Sequence, residues 1–185
     1  MIKLLVGLGN PGEQYARTRH NVGFWVLDAL AKELGCAWSE DKRFQASMVE
    51  PRIAANKLIL LKPMTFMNRS GYAVVQALNY WKLQPSELLV VHDELDFAVG
   101  VAKLKKNGGH AGHNGLRHIM AQLGHGDFYR LRVGIGRPAH KSMVVDYVLS
   151  PPSSEEGGLL GRAVERLVVA LPLLVLRDEP VLDLG

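Results

Sequence analysis

The segment from residue 2 to residue 23, IKLLVGLGNPGEQYARTRHNVG, most constrains what this chain can fold into. Its apolar run Ile2–Val6 predicts a buried strand, which the following glycines end. The loop after this strand carries Asn10, and His20 stands just before the next helix. Loops at the carboxyl ends of strands are where α/β sheets bind ligands. A histidine at this place has the proton affinity that a general base needs at neutral pH.

Apolar periodicity along the rest of the chain predicts alternating helices and strands. Helices are predicted over 21–34, 68–82 with Asn68 as its cap, 116–123 and 154–170. Strands are predicted over 44–50, 54–62, 88–92, 101–105 and 130–135. We expect a turn at Pro51-Arg52 and the end of the last helix before Pro172. The order predicts a single α/β domain over residues 1–185, with a mostly parallel sheet that is mixed at one edge and flanked by helices.

Charge is unevenly distributed along the chain, whose net charge is +4. Residues 101–141 contain eight Lys and Arg but a single acid, so this segment carries +7 and the remainder carries −3. Such a local excess favours a polyanionic partner such as nucleic acid, although a solvated basic face is the plain alternative. A single cysteine excludes an intrachain disulfide. The sequence shows neither a signal peptide nor a membrane span, and we therefore expect a cytoplasmic protein.

His20 and Asp93 are the candidate acid–base pair. Asp93 follows the apolar strand LLVVH within HDELD, so it lies at that strand's carboxyl end. If this strand runs parallel to the first and beside it, both side chains reach the same edge of the sheet. A carboxylate bonded to one imidazole nitrogen fixes the tautomer and stabilises the cation formed on proton uptake. Alternatively, His20 is a helix-capping or exposed histidine, Asp93 caps a turn, and Glu94 or Asp96 is the functional acid.

Other chemistries have weaker support in the sequence. The motif GLGNPG matches the dinucleotide-binding G-x-G-x-x-G in form, but the predicted helix does not open at that loop, and the acid about 20 residues on, Asp28, lies within a helix. His110-x-x-His113 could hold a metal, yet no convincing further ligand accompanies it. Nucleophile motifs such as G-x-S-x-G are absent. We therefore expect no metal and no cofactor, and a water molecule activated directly by the histidine.

Three asparagines, Asn10, Asn68 and Asn114, lie in loops or at helix starts after predicted strands. Their amides could align a peptide backbone or stabilise an oxyanion. Each could equally be a helix cap or an Asx turn. Phe66 and Met67 could form an apolar wall for a substrate or pack in the core.

Several segments together resemble bacterial-type peptidyl-tRNA hydrolases. The matching stretches, in chain order, are GLGNPGEQYARTRHNVG (7–23), KPMTFMNRSG (62–71), HDELD (92–96), VAKLKKNGGHAGHNGL (101–116) and FYRLRVGIGRP (128–138). The resemblance implies a usually monomeric single α/β domain around a twisted mixed sheet. It also implies hydrolysis of the ester between a peptide and the 3′ ribose of tRNA, which recycles tRNA from aborted translation without metal or cofactor.

The resemblance further assigns roles to individual residues. By the family pattern, His20 activates water, Asp93 supports its proton-accepting form, and Asn10 separates N-blocked peptidyl-tRNA from free aminoacyl-tRNA. The implied substrate contacts are Tyr15, Phe66, Asn68 and Asn114, with Met67 and His113 lining the same cleft. Lys103 and Lys105 match positions associated with the tRNA phosphates.

The chain departs from the family pattern in two places. Ala111 replaces a glycine found in some relatives, a small change that we expect to be tolerated. From about Leu171 the chain is apolar and acidic, where many relatives continue as a longer helix with a polar or basic tail, so tRNA contacts from residues 171–185 are not expected. The main rival function is a non-catalytic RNA-binding module that uses the basic 101–141 face.

Overall fold

The computed structural model describes residues 1–184, which form five α-helices and nine strands. The strands are β1 (Leu4–Gly7), β2 (Ser39–Asp41), β3 (Ala46–Val49), β4 (Arg52–Ile53), β5 (Asn56–Lys57), β6 (Ile59–Pro63), β7 (Leu88–Glu94), β8 (Ala102–Lys106) and β9 (Tyr129–Gly134). The helices are α1 (Val22–Glu33), α2 (Ser70–Trp81), α3 (Asn114–Leu123), α4 (Val144–Val148) and α5 (Ser154–Leu176). Short 3-10 turns lie at Arg19–Asn21, Met67–Arg69, Pro85–Glu87 and Lys141–Met143.

Seven strands form one mixed sheet in the order β2-β3-β6-β1-β7-β9-β8. The central strands β6, β1, β7 and β9 are parallel to one another, whereas β3 and β8 run in the opposite direction. The α/β prediction is confirmed, and the sheet is mixed at both edges rather than at one. Because the four central strands are parallel, the loops that follow them open at the same edge of the sheet.

Each face of the sheet is covered by a separate hydrophobic core. Successive residues of a strand point to opposite faces. In β7, Leu89 and Val91 pack in the core beneath α1 and α5, while Leu88 and Val90 pack beneath α2 and α3. All four side chains are fully buried. The continuous apolar run of this strand therefore reflects burial on both faces.

The segment between β3 and β6 differs from the sequence prediction. Pro51-Arg52 is not the turn, because Arg52 begins β4, which pairs with β5 in a separate two-stranded sheet. The chain reverses instead at Ala54 and Ala55, whose φ values are 49° and 67°. Left-handed alanines are uncommon, so turn propensity did not mark this position.

Helix α5 begins as predicted and ends later than predicted. Ser153 and Glu156 form the expected capping box, in which each side chain bonds the other residue's backbone N–H. The helix then continues through Pro172 to Leu176. An interior proline costs about 3 kcal/mol, but the residues beyond it, Leu174 and Val175, are buried in the core. Burial of such side chains contributes about 1.5–3 kcal/mol each, which is enough to offset that cost.

The 3-10 turn Lys141–Met143 leads directly into the short helix α4, Val144–Val148, for which the sequence pattern predicts no element. Arg19, 9% exposed, anchors this helix to the start of the chain. Its guanidinium donates to the carbonyl of Tyr147 at 3.0 Å and pairs with Glu156 at 2.9 Å. Within residues 1–184, none of the helices combines the length and the hydropathy that crossing a membrane requires.

Candidate active site

A cleft of about 580 Å³ opens at the carboxyl edge of the sheet. It contains most of the side chains selected from the sequence: Asn10, His20, Met67, Asn68, Asp93, Lys105, His113 and Asn114. The convergence follows from topology, because β1, β6 and β7 are parallel neighbours and their following loops meet. The remaining three, Tyr15, Phe66 and Lys103, are not among the residues that line the cleft.

His20 and Asp93 are in direct contact, as the sequence predicts. His20 Nδ1 lies 2.8 Å from Asp93 Oδ2. A carboxylate only accepts hydrogen bonds, so Nδ1 carries the hydrogen and Nε2 is the nitrogen that can accept a proton. His20 lies in the 3-10 turn before α1, and Asp93 lies in β7 with only 4% of its surface exposed. The pair therefore has the geometry of an oriented general base.

The electrostatics of this pair favour an ionised carboxylate and a more basic imidazole. Burial of the ring lowers the pKa of His20, but the charge of Asp93 and the hydrogen bond to it outweigh burial and raise the pKa above the ordinary value of 6.5. Burial raises the pKa of Asp93, yet the two imidazoles that contact it hold this pKa well below its ordinary value. Asp93 is thus charged at every pH at which His20 titrates.

Two further histidines surround Asp93. His113 Nε2 lies 2.7 Å from Asp93 Oδ1, so both carboxylate oxygens are bonded to imidazoles. His92 donates from Nδ1 to the backbone carbonyl of Asp93 at 2.8 Å, and its ring packs against that of His113 with centroids 5.0 Å apart. Burial is the largest cause that lowers the pKa of His92 to about 3, so this ring is neutral. Nothing in the sequence around His92 indicates this role.

Asn10 is held by a network that determines which way its amide faces. Its Oδ1 accepts the backbone N–H of Met67 at 2.7 Å, which leaves Nδ2 as a donor. Asn21 holds the backbone of Asn10 on both sides: it accepts the Asn10 N–H and donates to the Asn10 carbonyl, each at 2.9 Å. Asn21 was assigned only to a helix start, but its side chain makes no capping bond. Its position next to the candidate base was the only signal for this role.

Asn68 and Asn114 both lie exposed at the cleft. The predicted capping role of Asn68 is wrong, because α2 begins at Ser70 and Asn68 lies in the preceding 3-10 turn. Asn114 is the first residue of α3, and its Oδ1 accepts a bond from Arg117 at 3.2 Å. This bond leaves the Asn114 amide nitrogen as the group that can donate to a ligand.

Tyr15 and Phe66 form an edge-to-face pair with ring centroids 6.2 Å apart. Phe66 is 50% exposed and has φ 67° and ψ 155°, a backbone conformation that essentially only glycine adopts freely. A large aromatic side chain is thus kept in solvent on a strained backbone. Met67, by contrast, is buried against the core and contacts the cleft.

The basic segment is divided between the surface and the interior. Lys103 and Lys105 are exposed on the edge strand β8. Arg130, which was counted with the basic face, is 1% exposed and donates to the carbonyls of Gly108, Gly109 and Gly126. That part of the prediction is wrong, because the guanidinium is buried among these three carbonyls, where it joins the loop before α3 to the loop before β9.

Arg132 is a further cationic residue that lines the cleft. It pairs in register with Lys103, so the two side chains share a face of the sheet. Both stack on the ring of Phe97: Arg132 Cζ lies 4.7 Å and Lys103 Nζ 5.0 Å from the ring centroid.

Ala111, which replaces a glycine found in some relatives, has φ 48°. The alanine thus occupies a backbone conformation that favours glycine.

The glycines of GLGNPG serve close packing. A Cβ on Gly7 would lie 2.5 Å from the carbonyl oxygen of Gly23, and one on Gly9 would overlap the ring of Phe24. These contacts let α1 approach β1, whereas a dinucleotide fingerprint needs a helix that opens at the loop itself.

Among residues 1–184, the group with metal-like spacing is His20, Asp93 and His113, and it does not include His110. Its imidazole nitrogens facing Asp93 carry the hydrogens of the two bonds described above, so we assign no metal to it.

The far wall of the cleft is apolar, formed by Leu95, Val144, Val145, Val148 and Leu149. A polar, imidazole-rich floor therefore adjoins a surface suited to aliphatic or aromatic groups. Fold and site together define the class: a single-domain α/β protein with an imidazole–carboxylate pair and several amide donors at the carboxyl edge of a mixed sheet.

Comparison with known proteins makes the assignment specific. A sequence model of peptidyl-tRNA hydrolases matches residues 4–181. The peptidyl-tRNA hydrolase of Stenotrophomonas maltophilia strain K279a is 50% identical over 177 residues, which cover 96% of this chain and 92% of that protein. The enzyme of that name from Methylococcus capsulatus is 51% identical over 179 residues, or 95% and 93% of the two chains. The crystal structure of Acinetobacter baumannii peptidyl-tRNA hydrolase superposes with a TM-score of 0.91 at 44% identity, covering 94% and 88%. The chain belongs to the peptidyl-tRNA hydrolase family.

Proposed function

We propose that this chain hydrolyses the ester between a peptide and the 3′ ribose of tRNA, with His20 as the general base for a water molecule. The observation that carries the proposal is the 2.8 Å contact between His20 Nδ1 and Asp93 Oδ2 inside the cleft. Release of free tRNA and peptide from stalled translation is the corresponding role. The ester is more labile than an amide, so one base and a few amide donors suffice.

The chemistry uses groups already in place. Water gives a proton to His20 Nε2, and its oxygen forms a bond with the ester carbonyl carbon. The resulting tetrahedral intermediate expels the ribose 3′ oxygen, which takes the proton from the imidazolium. Asp93 stabilises that imidazolium while it exists. Positioned general-base catalysis contributes about 10²–10⁴-fold, and an amide donor to the developing oxyanion contributes a comparable factor.

Asn10 supplies a physical basis for choosing N-blocked substrates. Because Oδ1 is engaged by Met67, the amide offers Nδ2 to the ligand. This donor can bond the carbonyl of a peptide or acetyl group, whereas the free ammonium of an aminoacyl-tRNA has only donors and is repelled. We expect N-acetyl-aminoacyl-tRNA to be hydrolysed and the unblocked form to be largely spared. Equal rates on both would contradict this role of Asn10.

The two substrate halves match the two surfaces around the base. Exposed Lys103 and Lys105 would neutralise tRNA phosphates, which gives affinity without sequence specificity. The apolar wall of α4 and its flanks would receive peptide side chains of many kinds. Tyr15, Phe66, Asn68 and Asn114 are proposed to contact the substrate. Asn68 and Asn114 line the cleft, whereas Tyr15 and Phe66 form an aromatic pair outside its lining.

The decisive experiment is His20→Ala. We expect turnover of peptidyl-tRNA to fall by at least about 10²-fold, with tRNA affinity within a few-fold of the unaltered enzyme. His125→Ala, a half-buried histidine outside the cleft, is the matched control. If His20→Ala retained full turnover, the base assignment would be wrong. If the unaltered chain bound tRNA without turnover, the RNA-binding module would be the better description.

A second experiment tests the phosphate contacts. Changing both Lys103 and Lys105 to Ala should raise KM for peptidyl-tRNA and flatten its salt dependence, yet spare a small ester substrate. A double change of exposed Lys32 and Lys42, outside the basic segment, removes the same net charge and should leave the salt slope unchanged. Equal losses on both substrates would mean that the first variant had damaged the site itself.

We also propose that the protein acts as a monomer in the cytoplasm. The proposal is supported by the contents of the cleft: the candidate base His20, its partner Asp93 and Asn10 all line it, so the proposed chemistry needs no residue of a second copy. Gel filtration with light scattering at working concentrations should give a mass near 20.4 kDa. A dimer that dissociates with loss of activity would contradict it.

A further inference from the structure

Each carboxylate oxygen of Asp93 accepts one hydrogen bond from an imidazole. The two imidazoles differ in the other contacts that they make. Oδ2 is 2.8 Å from His20 Nδ1, and Oδ1 is 2.7 Å from His113 Nε2. The carboxylate is 4% exposed and accepts both bonds, so each contacting nitrogen carries a hydrogen. The two rings therefore contact Asp93 in the same way. They differ only in what the second nitrogen of each ring does.

The second nitrogen of His113 caps a helix. His113 is the N-cap residue of α3, and its Nδ1 accepts the backbone N–H of Leu116 at 3.3 Å. An acceptor nitrogen has no hydrogen, so His113 is the neutral tautomer protonated at Nε2. A second proton would break the cap and place a positive charge at the positive end of the helix dipole. The second nitrogen of His20 has no such duty in the proposed mechanism and is the one that accepts a proton.

The remaining titratable neighbours add no competing site for that proton. His92 packs on the His113 ring, is 2% exposed, and uses Nδ1 to donate to the Asp93 carbonyl. Arg130 holds three backbone carbonyls and contributes a fixed positive charge near this cluster. An added positive charge on His92 is therefore opposed by its surroundings.

We infer that His113 is a positioning residue: it orients Asp93 through Oδ1 and joins that carboxylate to the start of α3, while remaining neutral so that the abstracted proton stays on His20. The sequence had suggested that His113 lines the cleft or forms a metal-like pair with His110. The same bond also places Asn114, the next residue, at a fixed distance from the base. The inference deepens the proposed function and depends on it for the proton from water, but the protonation state of His113 is measurable without turnover.

Two amide variants separate the two nitrogens of His113. His113→Asn places an amide oxygen near the former Nδ1, which keeps the helix cap and removes the donor to Asp93. His113→Gln places an amide nitrogen near the former Nε2, which keeps the donor and removes the cap. His118→Asn changes another α3 imidazole, one that accepts the Gly71 N–H and does not contact Asp93, and is the matched control.

The expected results differ in kind. In His113→Asn, Asp93 loses a donor and its charge acts more fully on His20, so the acid limb of the kcat profile should move to higher pH by about half a unit or more. In His113→Gln, that limb should stay within about 0.2 unit of wild type, while KM rises several-fold because Asn114 is less firmly placed. His118→Asn should leave the limb unchanged. A purely structural role for His113 would move no limb in either variant.

Nitrogen NMR of the unaltered enzyme provides a readout that depends on neither variant folding. His113 should show one protonated Nε2 and one unprotonated Nδ1, the tautomer that its bonds to Asp93 and Leu116 require, and the proton gained when the pair is acidified should appear on His20. A second proton on His113 in the same step as His20, or an unmoved acid limb in folded His113→Asn, would overturn the inference. Absence of peptidyl-tRNA hydrolysis by the unaltered enzyme would instead overturn the proposed function and leave the NMR result standing.

Discussion

His92 should make the folded protein sensitive to acid. Its side chain is 2% exposed, donates from Nδ1 to the Asp93 carbonyl, and leaves Nε2 buried without a hydrogen-bond partner among the described residues. Burial first, then the neighbouring His113 imidazole, lowers the pKa of His92 from 6.5 to about 3. In the unfolded chain this ring is solvated and its pKa returns to the ordinary value.

The direction of this pH dependence follows from how many protons the folded and unfolded chains bind. Between the folded and unfolded pKa values of His92, the unfolded chain binds a proton that the folded chain does not, so stability falls as the pH falls. From pH 7 to pH 5 the resulting loss is about 2 kcal/mol for this single group. Domains of this size are stable by only about 5–15 kcal/mol, so the effect is measurable. The raised pKa of His20 acts in the opposite direction, because its extra stability is present below the unfolded pKa and is lost as the pH rises through the folded one.

The assay is urea unfolding of wild type and His92→Asn at both pH values. Asparagine can still donate to the Asp93 carbonyl, and the cost of its smaller volume is the same at pH 7 and pH 5 and cancels in the comparison. We expect the loss between the two pH values to be smaller in the variant by about 2 kcal/mol. His125→Asn, a half-buried histidine, is the control and should match wild type. Identical losses in His92→Asn and wild type would refute the argument that this ring is buried neutral.

Three further predictions concern the residues that hold the site. Asn21→Ala removes both side-chain bonds to the Asn10 backbone, so kcat/KM on N-blocked substrate should fall about 10-fold and the preference over unblocked substrate should shrink; an unchanged preference would contradict this. Phe66→Gly should be about 1–2 kcal/mol more stable to urea than Phe66→Ala, because glycine relieves the positive φ; the usual advantage of alanine would mean that the backbone is unstrained. Arg19→Lys loses bonds to the Tyr147 carbonyl and to Glu156, so proteolytic cleavage within 137–152 should become faster; an unchanged rate would show that the anchor lies elsewhere.

Local sequence was sufficient to predict a structural feature wherever the interacting residues lie close together along the chain. The capping box of α5 joins positions three apart, and Gly35 ends α1 with φ 67° as its place after the helix suggests. The doubly buried β7 was evident from an unbroken apolar run. Convergence of Asn10 with Asp93 also followed, because adjacent parallel strands bring their following loops to one edge.

Sequence failed where a side chain's partner is set by packing between distant segments. Asn21 was assigned to a helix start, yet it bonds a backbone eleven positions earlier. Arg130 was assigned to a basic face, yet carbonyls from two loops enclose it. Pro172 was expected to end the last helix, yet core burial of the following turn outweighs its local cost.

The order of motifs and the apolar periods determined the α/β sheet. They also predicted a ligand-binding edge and the pair His20 and Asp93, with Glu94 or Asp96 left open as the acid, because these features depend on local preference and on the geometry of parallel strands. Only the tertiary structure decided which oxygen of Asp93 meets which imidazole, and that the second ring nitrogen of His113 caps α3. Hydrogen-bond direction among these groups is a property of their packed arrangement. His20, Asp93 and His113 are separated from one another by 20 to 93 positions along the chain, so no local sequence signal predicts the direction of their hydrogen bonds.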